Sequence, residues 1–269
     1  MEKITLKDKI SKGGIKMEFN TNQKEAIHTI DGNMVVIAAA GSGKTSVLTY
    51  RILNMVKNHG IDPTTILAVT FSKKAKESIE HRLGKLGVVS VNVETFHSLA
   101  LKIITSTYGY GKYKVWTASW EKEKALKEIC CDLLGLCRNK DDVPYNGILR
   151  FLGIQKTNML RSTDDLIYSD DDPYPDDRMK KIYKMYEDYK KDKSYIEFDD
   201  FLNMANQCFD KFPDILKFYQ NKYLYVLSDE FQDVSMAQSL LLKRINNKNT
   251  MIVGDPLQAI YSFRGGRSE

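Results

Sequence analysis

Residues 35–52, VVIAAAGSGKTSVLTYRI, set an apolar run directly before small residues and a glycine–lysine–threonine triplet, then a helix-like pattern. Small residues let the backbone curl as a buried strand ends. The N–H groups of that curl and of the following helix then face an anion. Against the phosphate-loop pattern GxxxxGK[ST], residues 38–45 read AAAGSGKT, so Ala38 replaces the first glycine while Gly43, Lys44 and Thr45 match. Ala39, Ala40, Gly41, Ser42 and Gly43 are the candidate phosphate cradle. Lys44 is the expected counter-charge for β- and γ-phosphate oxygens, and the Thr45 hydroxyl the expected Mg²⁺ ligand.

Short apolar, β-branched runs recur at 34–40, 66–71, 88–96, 223–230 and 250–256. Most lack polar alternation, as strands buried on both faces of a parallel sheet do. Helical patterns at 44–58, 73–86 and about 97–107 separate several of them. The expected fold class is therefore α/β: a doubly wound parallel sheet flanked by helices, carrying the phosphate loop. Residues 108–194 read as helices and loops, with an acidic, proline-containing stretch at 162–177 and no strong strand. We expect residues 1–107 and 195–269 to form the nucleotide-binding domain and 108–194 an all-helical insertion.

A phosphate loop needs an acidic partner at the end of another buried strand. YLYVLSDEFQD (223–233) supplies one: Asp229 is the candidate metal ligand and Glu230 the candidate group that polarises attacking water.

The net charge of +5 is unevenly spread: residues 1–107 hold 15 Lys and Arg against 9 Asp and Glu, whereas 195–269 hold 8 against 10. A basic first third suits a polyanion, though basic solvated faces are common. No apolar stretch reaches the ~18–20 residues of a membrane span, and the N-terminus lacks the apolar core of a secretion signal. The expectation is a cytoplasmic protein without a membrane partner. Cys130, Cys131, Cys137 and Cys208 form no CxxC pair and read as buried thiols.

AAAGSGKT, ILAVTFSKKAKESIEHRL, VETFHSLA, SDEFQD and VGDPLQAIYSFRGG occur in that order. Together they resemble the N-terminal motor half of the UvrD/Rep-like superfamily 1 DNA helicases, over most of the chain. The resemblance implies a phosphate-loop NTPase (RecA-like) motor domain, 1A, and the helical block matches the position of that family's inserted 1B subdomain. The resemblance implies ATP and Mg²⁺ as ligands, single-stranded DNA as partner and a role such as DNA repair. RNA remains open, because stacking tracks tolerate both sugars.

Residue by residue, FNTNQ implies that Gln23 reads adenine, while Asn20 and Gln23 also form a capping-box pair for the helix that follows. TFSKKA implies strand contacts by Thr70 and Phe71, with Lys73 where the family usually has asparagine. Lys73, Lys74 and Lys76 open a helix, where the dipole prefers acids, so they fit either a nearby polyanion or a solvated basic face. ETFHS implies contacts by Thr95 and His97. GDPLQAIYSFRGG implies that Gln258 senses the γ-phosphate or positions water, that Tyr261 and Phe263 stack on bases, and that Arg264 bonds nearby. Phe263 stands where tryptophan is frequent, and Ser46 where relatives place an arginine that packs on adenine. IEFDDFL (196–202) resembles a further family element, and Asp199 and Asp200 in it read as helix caps.

Family motors close the ATP site with a second RecA-like domain carrying arginines, and no part of this sequence matches it. The expectation is an incomplete catalytic unit that binds ATP·Mg²⁺, hydrolyses it poorly and needs the missing C-terminal motor domain to move on a strand. A stand-alone nucleotide-dependent nucleic-acid-binding module is the alternative. A phosphate-loop kinase would leave TFHS and IYSFRGG unexplained.

Overall fold

The computed structural model of the chain describes residues 18–255, except positions 40, 175, 232, 233 and 247. Of the expected site residues, Ala40, Gln258, Tyr261, Phe263 and Arg264 lie outside the described residues.

Five strands form a wholly parallel sheet: β1 (Met34–Ile37), β2 (Ile66–Thr70), β3 (Asn92–Thr95), β6 (Tyr225–Ser228) and β7 (Thr250–Gly254). Their order is β1-β7-β6-β2-β3. The register pairs Thr70 with Thr95 and Val69 with Ser228, so the C-terminal ends of β2, β3 and β6 meet on one rim. Helices α1 (Thr21–His28), α2 (Lys44–Lys57), α3 (Lys73–Lys85) and α4 (Phe96–Tyr108) alternate with the first strands.

The central strand β2, ILAVT, is buried along its whole length. Its period of two splits the strand between two cores. Leu67 and Val69 join Phe96, Leu99 and Ile103 of α4 on one face; Ile66 and Ala68 join Leu48, Ile52 and Met55 of α2 on the other. Both faces are covered, so no polar alternation appears in the sequence.

β1 differs from that expectation. It pairs with β7 on one side and lies at the sheet edge among the described residues, where Val35 and Ile37 are 67% and 74% exposed. Its apolar run reflects β-propensity rather than burial on two faces. The run at 88–96 yields a strand only over 92–95, because Gly87 and Ser90 both take positive φ and break the extension.

The chain between α4 and the sixth strand contains β4 (Lys114–Val115), α5 (Ser119–Lys127), a π-helical turn (Glu128–Leu133), α6 (Tyr145–Thr157), α7 (Asp177–Lys193), β5 (Tyr195–Ile196), α8 (Phe198–Lys211) and α9 (Pro213–Lys222). α10 (Met236–Ile245) precedes β7. A third core, with Leu126, Phe151, Met179 and Tyr186, draws on residues 116–186. The block is not purely helical, since β4 pairs with β5 just beyond it; a two-residue ladder is too short to leave a periodic signal. Cys130 and Cys208 are buried free thiols as expected, whereas Cys131 and Cys137 are only half-buried, beside the π-helical turn. Among the described residues no helix is long and apolar enough to cross a membrane.

Candidate functional site

The loop after β1 is fastened to β7 where the Ala38 N–H donates to the Gly254 carbonyl (3.0 Å), and it turns back where the Ser42 N–H donates to the Ala39 carbonyl (3.1 Å). Gly43 sits at φ 85° as the residue before α2, and no side chain among the described residues caps the first N–H groups of that helix. Only glycine takes this left-handed geometry without strain. Uncapped N–H groups and the helix dipole are the features that suit a loop to an anion.

Two cross-sheet pairs close the site. The Thr45 hydroxyl donates to Asp229 Oδ2 (2.8 Å), and Lys44 Nζ lies 3.1 Å from Glu230 Oε2. Asp229 is 2% exposed, and its backbone N–H donates to the Val69 carbonyl, just past the end of β6. Burial pushes the Asp229 carboxyl above its ordinary pKa, and the adjacent Glu230 adds to this; the Thr45 hydroxyl and Lys44 oppose it. A buried carboxylate held in this way favours a nearby cation. A hydroxyl and a carboxylate oxygen side by side are hard ligands that fit Mg²⁺. Glu230 takes φ 55°, a left-handed conformation costly for a residue with a Cβ and one that clusters at functional sites.

α1 brings Gln23 to the loop. Asn20 Oδ1 accepts from the Gln23 N–H, Gln23 Oε1 accepts from the Asn20 N–H, and Gln23 Nε2 donates to the Ser42 carbonyl (2.8 Å). The cap and the contact with the phosphate loop therefore coexist in one side chain. α1 is pinned to α2 by Arg51, buried at 2% exposure, which donates to the Ala26 and Ile30 carbonyls. Asn54 adds a bond to the Ile27 carbonyl.

Arg82 is a residue the sequence did not single out. From α3 it donates to the hydroxyl of Ser46 (3.2 Å), the position where the resemblance led us to note a missing arginine. Ser46 Cβ and Gln23 Nε2 both lie within 4 Å of where a Cβ on Gly43 would stand, so Arg82 reaches the Gln23 side of the loop. Nothing in spacing links positions 46 and 82, because the bond joins different helices.

The expected strand contacts are distributed unevenly. Phe71, at 39% exposure, and the half-buried His97 lie at the rim where β2 and β3 end. Thr70 is wholly buried and its hydroxyl has no hydrogen-bond partner among the described residues. The Thr95 hydroxyl caps α4 by accepting from the Ser98 N–H (3.1 Å). Lys73 pairs with Glu77, and Lys76 with Glu80 and Glu94, so carboxylates of the chain itself meet part of this basic run. Buried Glu94 also accepts from Lys102 and from the Ser98 hydroxyl.

His97 stands edge-on to Phe198, centroids 6.2 Å apart, and 6.3 Å from Phe201. Burial lowers the His97 pKa, and Asp199 opposes this in part. Phe198 is 54% exposed, an aromatic face beside an expected strand contact. Periodicity does not reveal it, since positions 198, 201, 202 and 205 share one helical face with the core. Phe198 differs from the others because it occupies the first turn of α8, at the end of that face.

Residues 19–269 match the UvrD/REP helicase N-terminal domain. The chain is 33% identical over 269 residues to DNA helicase II of Rickettsia typhi, an alignment covering 97% of this chain and 40% of that protein. It is 31% identical to the ATP-dependent DNA helicase PcrA of Staphylococcus epidermidis (91% of this chain, 34% of that protein) and 30% identical to PcrA of Staphylococcus aureus over the same shares. It thus spans between a third and two-fifths of the length of these relatives. With its phosphate loop, paired carboxylates and parallel sheet, the chain belongs to the UvrD/REP helicase N-terminal domain family.

Proposed function

We propose that this chain is the ATP-binding half of an ATP-dependent DNA helicase or translocase, in which nucleotide turnover is coupled to movement on single-stranded DNA. The main support is the double pairing of Thr45 with Asp229 and Lys44 with Glu230 across the β1 and β6 ends. The relatives are named as DNA helicases, and two of them as ATP-dependent. In this reading residues 1–107 and 195–269 form the motor domain and 108–194 the helical insertion.

Thr45 and Asp229 would hold Mg²⁺, which supplies positive charge to the phosphate oxygens when bound. A triphosphate competes with Glu230 for Lys44. Once released, the Glu230 carboxylate accepts a hydrogen bond, and then the proton, from water. Gln23 keeps one amide proton and one lone pair for the edge of an adenine ring. Arg82, held on Ser46, supplies the cation on that side of the site. Phe71, His97 and Phe198 form the described part of a strand track, joined in the proposal by Tyr261, Phe263 and Arg264. Gln258 would link the track to the γ-phosphate. An arginine on the transferring phosphoryl group is worth ~10³–10⁵ in kcat. Lys44 alone does not replace that contribution, so slow turnover is proposed for this chain by itself.

The test is titration of the chain with a fluorescent ATP analogue and a labelled oligothymidylate, beside Lys44→Ala. Expected are Mg²⁺-dependent nucleotide binding lost in Lys44→Ala and salt-sensitive strand binding in the unmodified chain. Nucleotide binding that survives Lys44→Ala, or no strand affinity at low salt, would overturn the reading.

A further inference from the structure

Four buried charged side chains and the half-buried Glu187 meet where the helical block touches α8. Lys156 of α6 lies 2.9 Å from Glu197, 2.9 Å from Asp200 and 3.2 Å from Glu187. Lys190 of α7 reaches the same three carboxylates at 3.4, 2.6 and 2.8 Å. Both lysine side chains are at most 4% exposed. Lys122 of α5 (2.8 Å) and the Tyr186 hydroxyl (3.0 Å) complete the shell of Glu197. Three ammonium groups thus face three carboxylates.

Burying so many charges is expensive, and apolar packing of the same volume often serves stability as well or better. What the ionic arrangement adds is geometry, because each ammonium must meet several acceptors at once. Two of the acceptors frame one turn. Glu197 precedes α8 and Asp200 lies in its first turn, where Asp200 also accepts from the Glu197 N–H (2.7 Å). Between them in sequence stands Phe198, the exposed ring beside His97. The other described ring neighbour of Phe198 is Phe201, one turn further along α8.

We infer that Lys156 and Lys190 are positioning residues for the nucleic-acid track: by gripping Glu197 and Asp200 they fix the first turn of α8 so that Phe198 stands against His97. The helical block thereby sets the track without itself touching the strand at this point. This rests on the proposed function for its strand-binding consequence, but the placement of Phe198 can be read without any strand.

The variant Lys190→Met with Glu187→Gln removes one positive and one negative group, leaving the net charge of the cluster unchanged. Nucleotide affinity reports that the chain remains folded. Stacking of a base on an aromatic ring contributes ~5-fold or more to affinity, so Phe198→Ala in the unmodified chain should weaken oligothymidylate binding by about that factor. The double variant should weaken it similarly, and adding Phe198→Ala to the double variant should cost nothing further. Lys190→Arg should restore most of the affinity. A full Phe198→Ala cost in the double variant would overturn the inference, as would unmodified strand affinity in that variant.

A second readout needs no nucleic acid. In a Phe198→Trp chain, protonation of the neighbouring His97, which has Asp199 as its charged neighbour, quenches indole emission as pH falls. That pH-dependent quenching is expected with the charged cluster intact and should be lost in the double variant. Its survival there would overturn the inference. If quenching behaves as expected while the unmodified chain binds no strand, the positioning stands and the strand-track reading falls.

Discussion

The Thr45 hydroxyl and the Asp229 carboxylate are 184 positions apart in sequence and 2.8 Å apart in the fold. Strand order brings them together. Asp229 follows β6, β7 lies between β6 and β1, and the loop after β1 is tied to the end of β7 at Ala38. Burial opposes the charge on Asp229, so keeping this carboxylate ionised comes at a cost to the fold.

Asp229→Asn should therefore separate stability from function. The isosteric amide still accepts from Thr45 and removes an unfavourably buried charge, so the thermal midpoint at neutral pH should stay level or rise. The Mg²⁺-dependent gain in nucleotide affinity should disappear. Calorimetry and nucleotide titration with and without EDTA check both halves. A clear drop in midpoint would contradict the electrostatic account.

Gly43→Ala has room for its methyl group, since the nearest atoms to an added Cβ are 3.7 and 3.9 Å away. The backbone at φ 85° does not suit it. The expected cost is ~1–2 kcal/mol from left-handed strain alone. Denaturant unfolding would measure it, and a variant as stable as the parent would show that the loop relaxes.

Arg82→Ala should weaken binding of the fluorescent ATP analogue by ~5–30-fold, the range for a hydrogen bond or ionic contact of ~1–2 kcal/mol. Strand affinity should be unchanged. Adding Ser46→Arg in the same chain should restore part of the loss. Equal nucleotide affinity in Arg82→Ala would remove Arg82 from the site.

Acid should loosen the seam between α8 and the helical block. Burial would push the Glu197 carboxyl up, but Lys156, Lys190 and Lys122 outweigh it and hold the pKa at about 2, against 4.5 ordinarily. A carboxyl with a depressed folded pKa contributes stability above its unfolded pKa and loses it as pH falls toward the folded value. That contribution is full above about pH 4.5 and fades between there and pH 2. Lys190→Met with Glu187→Gln removes one of the lysines that depress this carboxyl, so its stability should depend less on pH in that window. Chemical denaturation at pH 6, 4 and 3 checks this.

Much of the sheet was legible from order and pattern. ILAVT reads as a strand covered on both faces and is one, and GSGKT and SDE mark the ends of β1 and β6. Asn20 with Gln23 announces a helix start through contacts three residues apart. These features depend on neighbours within a turn or a strand, where periodicity and side-chain chemistry act directly. The same local reasoning misplaced the burial of β1 and passed over Phe198, because an apolar residue looks alike at a sheet centre, at an edge or in an exposed first helical turn.

Motif order and periodicity were thus enough for the family and for most of the strands and helices, and they singled out the loop and the acidic pair that the fold brings together. Only the folded chain reveals that Arg82 reaches Ser46, that Thr70 is buried, and that Lys156 and Lys190 pair with Glu197 and Asp200 on either side of Phe198. The pairs Lys190–Asp200, Arg82–Ser46 and Lys156–Glu197 are 10, 36 and 41 positions apart, each joining different elements. They arise from strand order and helix packing, which set distances that no spacing in the sequence encodes.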